Sequence, residues 1–304
     1  MSFTAKDVKE LREKTGCGMM DCKKALESSD GDMAKAIDFL REKGLAEATK
    51  KSSRVAAEGL AMAYTNEEGT VGAAIEVNSE TDFVAKNADF QGFVKLCGET
   101  VMNSNPATVE DLLKMTASDG KTIENILQEK ILTIGENLKI RRFKRFEGFV
   151  ASYIHAGGKI GVLVNFEVAN PEVAKSDDFK AFSKDIAMQI AAANPLYLIP
   201  EEVPAEVVDH ERKILKEQIV NDGKPENIAE KIVEGRIGKY YKEICLLNQP
   251  FVKDGKLSVE QYTKDTAKKL GTDIKISAFV RFEKGEGLEK REDNFAQEVA
   301  GMIK

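Results

Sequence analysis

The chain opens with helical periodicity. Within residues 1–48, Val8 and Leu11 share a face three apart, and Ala36, Ile37, Phe39 and Leu40 form an inward stripe further on. Thr4 stands at a capping position, and the turn Thr15-Gly16-Cys17-Gly18 separates the first helix from a second, Met20 to about Ser28. Asp30-Gly31-Asp32 opens a third helix, for which Gly44 followed by Leu45 predicts a left-handed stop. The pattern predicts a small three-helix bundle with a thin core, joined to the rest by a polar linker over 50–54.

Period two then takes over. Leu60, Met62 and Tyr64, and after them Val71, Ala73, Ile75 and Val77, flank Asn66-Glu67-Glu68-Gly69, which predicts a hairpin over 59–78. Helical patterns follow at about 82–103, 108–116 and 122–136. A second set of strands opens near Leu138 and runs through 149–155 and 160–168, turning at Ala156-Gly157-Gly158-Lys159. Helix returns at about 178–193 and is ended by Pro195.

These two stretches repeat one another. Shifted by 89 residues, 58–97 lies over 147–186 without a gap, with 12 identities in 40 positions that include turn glycines and aromatic anchors. A duplicated core of two hairpin-plus-helices subdomains is expected. Between 205 and 242 two apolar stripes flank Asp222-Gly223-Lys224-Pro225, which predicts an antiparallel helical hairpin. That hairpin is either a packed excursion or a contact for a second copy of the chain. A helix near 258–270, a strand at 273–283 and an amphipathic helix at about 292–303, carrying Phe295, Val299 and Met302, complete the pattern. The expected class is α+β, divided into 1–54 (bundle and linker), 55–137 (first core subdomain), 138–204 with 243–285 (second core subdomain), 205–242 (hairpin insertion) and 286–304 (C-terminal module).

Composition narrows the chemistry. Against 45 basic residues stand 51 acidic ones, a net charge of −6, which disfavours a general polyanion binder. Lys139, Arg141, Arg142, Lys144 and Arg145 alternate to both faces of a strand, so they form no single basic stripe for RNA. Two histidines 55 residues apart and four irregularly spaced cysteines do not assemble a zinc pattern, and the cysteine usage suits a reducing cytoplasm. Gly120-Lys121-Thr122 lacks the first glycine of a phosphate loop. No apolar run approaches the roughly 18 residues of a membrane helix. No nucleophile sits in an elbow-like context, and scattered carboxylates alone do not argue for a hydrolase.

Two stretches carry more. Leu11-Arg12-Glu13-Lys14-Thr15-Gly16-Cys17-Gly18-Met19-Met20-Asp21-Cys22-Lys23-Lys24-Ala25-Leu26 and Glu76-Val77-Asn78-Ser79-Glu80-Thr81-Asp82-Phe83-Val84-Ala85-Lys86-Asn87 resemble the two signatures of the elongation factor Ts family, the guanine-nucleotide exchange factors of elongation factor Tu. The resemblance continues through Ile134-Gly135-Glu136-Asn137, Gly161-Val162-Leu163-Val164, Gln249-Pro250-Phe251-Val252 and Arg281-Phe282-Glu283. It implies a ubiquitin-associated-like N-terminal bundle and a cytoplasmic, non-enzymatic exchange factor without a cofactor. The partner it implies is elongation factor Tu, GDP-bound and nucleotide-free, with neither nucleic acid nor membrane as a partner. A homodimer through 205–242 is compatible with it.

The resemblance also implies site residues. Thr81, Asp82, Phe83 and Val84 form the wedge that dislocates the partner's magnesium ion, and Met19, Met20, Lys23, Ile134, Gly135 and His155 are further contacts. The residues themselves allow plainer roles: Asp82 as a helix cap with Phe83 packed inward, Met19 and Met20 as core filler, Lys23 as a solvated cation, Ile134-Gly135 as a helix end, and His155 as a turn histidine. The duplicate of Thr81-Asp82-Phe83 is Asn170-Pro171-Glu172, so the second subdomain lacks the wedge.

Overall fold

The computed structural model describes residues 3–117, 120–222 and 226–289. The expected C-terminal helix, with Phe295, Val299 and Met302, lies outside the described residues.

The bundle comprises α1 (Ala5–Thr15), α2 (Met19–Ser28) and α3 (Met33–Lys51). Thr4 and Asp7 form a reciprocal capping box on α1, and left-handed Gly16 ends it. Leu11, Cys22, Ala25, Leu26 and Ala36 are fully buried between the three helices. The predicted stop at Gly44 does not occur. Gly44 sits inside α3, where a Cβ would lie 3.3 Å from the carbonyl oxygen of Gln128 on the following subdomain. The glycine therefore permits close crossing of two helices, and tertiary packing overrides its tendency to end one. The expected linker is likewise partly helical: Lys50 and Lys51 belong to α3, and Lys51 pairs with Glu47.

The first sheet has the order β1 (Glu58–Thr65), β2 (Val71–Ser79), β3 (Lys139–Glu147), all antiparallel. Between β2 and β3 run α4 (Asp82–Ala85), α5 (Ala88–Ser104), α6 (Val109–Lys114) and α7 (Ile123–Ile134). The helix predicted over 82–103 is thus broken at Lys86-Asn87, because Asn87 caps α5 through the amides of Asp89 and Phe90. The second sheet has β4 (Phe149–His155) beside β5 (Ile160–Val168), followed in the chain by α8 (Pro171–Ala174) and α9 (Asp177–Ala193). Then come α10 (Ala205–Asn221), α11 (Glu226–Ile244), a short hairpin of β6 (Pro250–Phe251) and β7 (Asp254–Ser258), and α12 (Val259–Leu270). Finally β8 (Ile274–Glu283) pairs with β5 to close the order β4-β5-β8.

One expected boundary moves. The pattern places residues from 138 onward in the second subdomain, but β3 hydrogen-bonds to β2, from Val71↔Glu147 to Asn78↔Lys139. It is the third strand of the first sheet, as β8 is of the second. The two sheets meet face to face through Ala61, Ala63, Ala74, Val150, Leu163 and Phe282. Small residues make the approach close: a Cβ on Gly161 would lie 2.9 Å from the carbonyl oxygen of Ala61. On its outer face each sheet is covered by its own helices, with Phe90 and Phe93 central in the first core and Phe166, Phe179 and Phe182 in the second.

Candidate functional site

Residues 80–84 turn the chain from the end of β2 into α4. Thr81 is the N-cap residue of α4, yet its side chain makes no capping bond to that helix. Its hydroxyl donates instead to Glu136 Oε1 at 2.6 Å, and the backbone N–H groups of Glu80 and Thr81 both donate to Glu136 Oε2 at 3.0 Å. Asp82 and Phe83 follow as the first two helical residues. Phe83 is 77% exposed, whereas Val84 is buried in the first subdomain core. This overturns the plainer expectation that Asp82 caps and Phe83 packs inward. Neighbouring residues of a helix point about 100° apart, so a single turn that buries Val84 turns Phe83 outward.

Lys86 completes the tip. Its ammonium lies 3.0 Å from Asp82 Oδ2 and 5.5 Å from the centroid of the Phe83 ring. The hydrogen bond and charge of Lys86, with a further contribution from Lys284, hold the Asp82 carboxyl below its ordinary value. An exposed aromatic ring and a carboxylate therefore stand side by side at neutral pH.

The end of α7 lies against this tip. Left-handed Gly135 terminates the helix, with Ile134 half-buried on the first core and Gly135 exposed. The resemblance implies Ile134 and Gly135 as contacts, with Glu136 quoted only as part of the same motif; the structure makes Glu136 the residue that bonds the tip. α7 also reaches the bundle: Leu132 packs into the bundle core, and the Thr133 methyl is 3.8 Å from where a Cβ on Gly16 would stand. The last turn of α7 thus sits between the Thr15–Gly18 turn and the 80–84 tip.

Met19 and Met20 follow that turn and are 59% and 72% exposed, so they are not core filler. Lys23 is half-buried and pairs with Glu27 at 3.8 Å, while Asp21 on the same helix pairs with Lys43 of α3. His155 ends β4 on the other sheet, exposed, with Nδ1 3.2 Å from the Tyr153 hydroxyl. The turn after it is anchored on the first sheet, since the Ala61 N–H donates to the Gly158 carbonyl at 2.8 Å. The structure therefore joins Thr81–Val84 to Ile134-Gly135 through Glu136, brings the bundle turn to the same helix end, and leaves His155 on the second sheet.

The basic run of β3 is largely engaged within the protein. Arg141 and Arg142 both bond to the fully buried Glu76 carboxylate, and Arg145 pairs with Glu147 and donates to the Met102 carbonyl. Among the described residues, no group of three or more His, Cys, Asp or Glu side chains is placed to hold a metal ion, and no helix is long and apolar enough to cross a membrane. Burial pushes the Cys97 thiol up, and pushes that of Cys245 up to about 11, as expected of packed rather than reactive cysteines.

Comparison with known proteins accounts for this arrangement. The family model described as Elongation factor TS matches residues 80–286. Elongation factor Ts of Clostridium perfringens (strain SM101 / Type A) is 52% identical over 305 residues, covering 99% of each chain. That of Clostridium kluyveri (strain ATCC 8527) is 52% identical over 306 residues, again 99% of each, and that of Clostridioides difficile (strain 630) is 50% identical over 305 residues, 100% of this chain and 99% of its own. With both bundle and duplicated core inside these full-length matches, the chain belongs to the elongation factor Ts family.

Proposed function

We propose that the chain promotes release of GDP from elongation factor Tu by inserting the 81–84 tip near the partner's nucleotide-bound magnesium ion. The observation that carries this reading is the exposed Phe83 ring beside the ionised Asp82. Magnesium demands a near-ideal octahedral shell, so an apolar wedge that shifts its ligands, with a carboxylate alongside, loosens the ion that neutralises the GDP phosphates. Met19, Met20 and Lys23, the Ile134-Gly135 helix end and His155 serve as docking contacts around that wedge.

No covalent step is involved. The factor binds the GDP-bound and nucleotide-free states of Tu with different affinity, and that difference drives exchange. Linkage makes the effect reciprocal: the factor by which this protein weakens GDP binding is the factor by which GDP weakens its own. The test is release of labelled GDP from purified Tu, with and without the protein. Acceleration at catalytic amounts is expected; an unchanged release rate overturns the reading.

A further inference from the structure

We infer that Glu136 is a positioning residue that clamps the 80–84 tip to the end of α7, so that Phe83 is presented in one fixed conformation; the inference rests on the exchange reading above. One carboxylate receives three donors from the tip, the two amides and the Thr81 hydroxyl. The grip is reciprocal: Glu80 Oε1 accepts the Asn137 N–H at 2.6 Å and pairs with Arg54, whose own carbonyl accepts from the Asn137 side chain at 2.8 Å. A helix of four residues has too few internal hydrogen bonds to order itself. Phe83 contributes nothing either, because its ring is exposed. Val84 anchors the tip in the core on one side, and the Glu136 carboxylate supplies charge-assisted bonds at its root.

The duplicated core provides the comparison. Glu136 directly follows left-handed Gly135 at the end of α7, and Thr272 directly follows left-handed Gly271 at the end of α12. The turn there holds the second tip by two neutral bonds, the Thr272 hydroxyl accepting the Asn170 N–H and the Asp273 carbonyl accepting the Ala169 N–H, each at 3.0 Å. The charged, three-donor clamp is found in the half whose tip carries the exposed phenylalanine. A wedge that enters its partner already ordered spends no binding energy on ordering at the moment of exchange, so the clamp acts on the release step more than on docking.

The experiment compares Glu136→Ala and Glu136→Gln in the full chain by two measurements. Hydrogen exchange reads the Glu80 and Thr81 amides, with the β2 amides of Ile75 and Val77 as reference. GDP release from Tu, titrated with factor, separates the maximal rate from the half-saturating concentration. Glu136→Ala is expected to lose protection at both tip amides with β2 unaffected, and to lower the maximal rate about tenfold while half-saturation moves less than about threefold. Glu136→Gln keeps one carbonyl acceptor and falls between; it carries the test if the Ala variant also loses β2 protection. Thr81→Val should slow release in the parent and add nothing in the Glu136→Ala background. Retained tip protection in Glu136→Ala, or a full maximal rate once protection is lost, overturns the inference. Phe83→Ala is run in parallel. If it releases GDP as fast as the parent, the exchange reading of the tip falls, and amide protection alone decides whether Glu136 holds it.

Discussion

Phe83 and Glu172 occupy the same place in the two halves of the duplicated core, each the exposed second residue of a one-turn helix with the equivalent lysine beside it, and they differ in chemistry. Phe83 presents an apolar ring 5.5 Å from the Lys86 ammonium, whereas Glu172 presents a carboxylate paired with Lys175 at 2.7 Å in the turn after Pro171. Asp82→Ala with Phe83→Ala is therefore expected to slow factor-driven GDP release by roughly a hundredfold at saturation, equivalent to about 2.7 kcal/mol in the activated complex. Pro171→Ala with Glu172→Ala should leave the maximal rate nearly intact. Equal losses from the two pairs, with both proteins folded, would sink the single-wedge account.

Gly44 predicts how the bundle is held. A mid-helix glycine costs about 1 kcal/mol against alanine, and here it lets α3 cross the Gln128 carbonyl of α7. Gly44→Leu should force the helices apart at a cost of about 1–3 kcal/mol. Limited proteolysis is expected to cleave faster near residues 50–54, and affinity for Tu to fall, while the maximal release rate holds. A variant as resistant to protease as the parent would show that the crossing tolerates a side chain.

The duplication was legible because it is local pattern repeated. A shift of 89 residues carries α4 onto α8 and α5 onto α9 with identical bounds, and carries the strand irregularity at Glu76/Val77 onto that at Asn165/Phe166. What the pattern could not reveal depends on partners distant in sequence. Alternation over 139–147 marks a strand but not which sheet receives it. Gly44-Leu45 reads as a helix end until Gln128 is seen beside it. The outward turn of Phe83 follows from Val84 having taken the buried side, and the role of Glu136 exists only because residues 80 and 81 lie across from it.

Asp82 makes a prediction about pH. Lys86 holds its folded value below the ordinary 3.8, so the pair's contribution is complete above that ordinary value and is lost as pH falls through the lower, folded one. Carboxyl-carbon NMR should find the Asp82 midpoint below 3.8 in the parent and shifted upward in Lys86→Ala. Because the pair is exposed, overall stability should hardly respond. An unmoved midpoint would show that Lys86 does not engage Asp82 in solution.

Glu76 should matter to the fold far more than any residue of the tip. It lies fully buried on β2, where its carboxylate takes Arg141 at 3.0 Å, Arg142 at 2.6 Å, the Asn78 side chain at 3.1 Å and the Gly285 N–H at 2.8 Å. The last of these reaches the turn that follows β8, so one side chain ties the first sheet to the closing strand of the second. Arg142 also lies 4.4 Å over the Phe282 ring. Removing the acid takes the buried carboxylate from two partly buried guanidiniums, which keep only their bonds to the 283–286 turn, and breaking a buried pair in this way typically costs about 3–5 kcal/mol. Glu76→Gln keeps the shape and one acceptor, and should lose roughly 1.5–3 kcal/mol. Asn165 is the internal control: it occupies the duplicate position on β5, and its buried Oδ1 has no hydrogen-bond partner among the described residues. Asn165→Ala should therefore cost less than Glu76→Ala in urea denaturation. Since the Gly285 bond to Glu76 crosses between the sheets, the Ala variant should also broaden or split the thermal transition, whereas Asn165→Ala should keep a single one. Equal losses for the two variants, or a Glu76→Ala protein within about 1 kcal/mol of the parent, would mean that the arginine bonds to the 283–286 turn and the apolar faces hold the sheets without the buried acid.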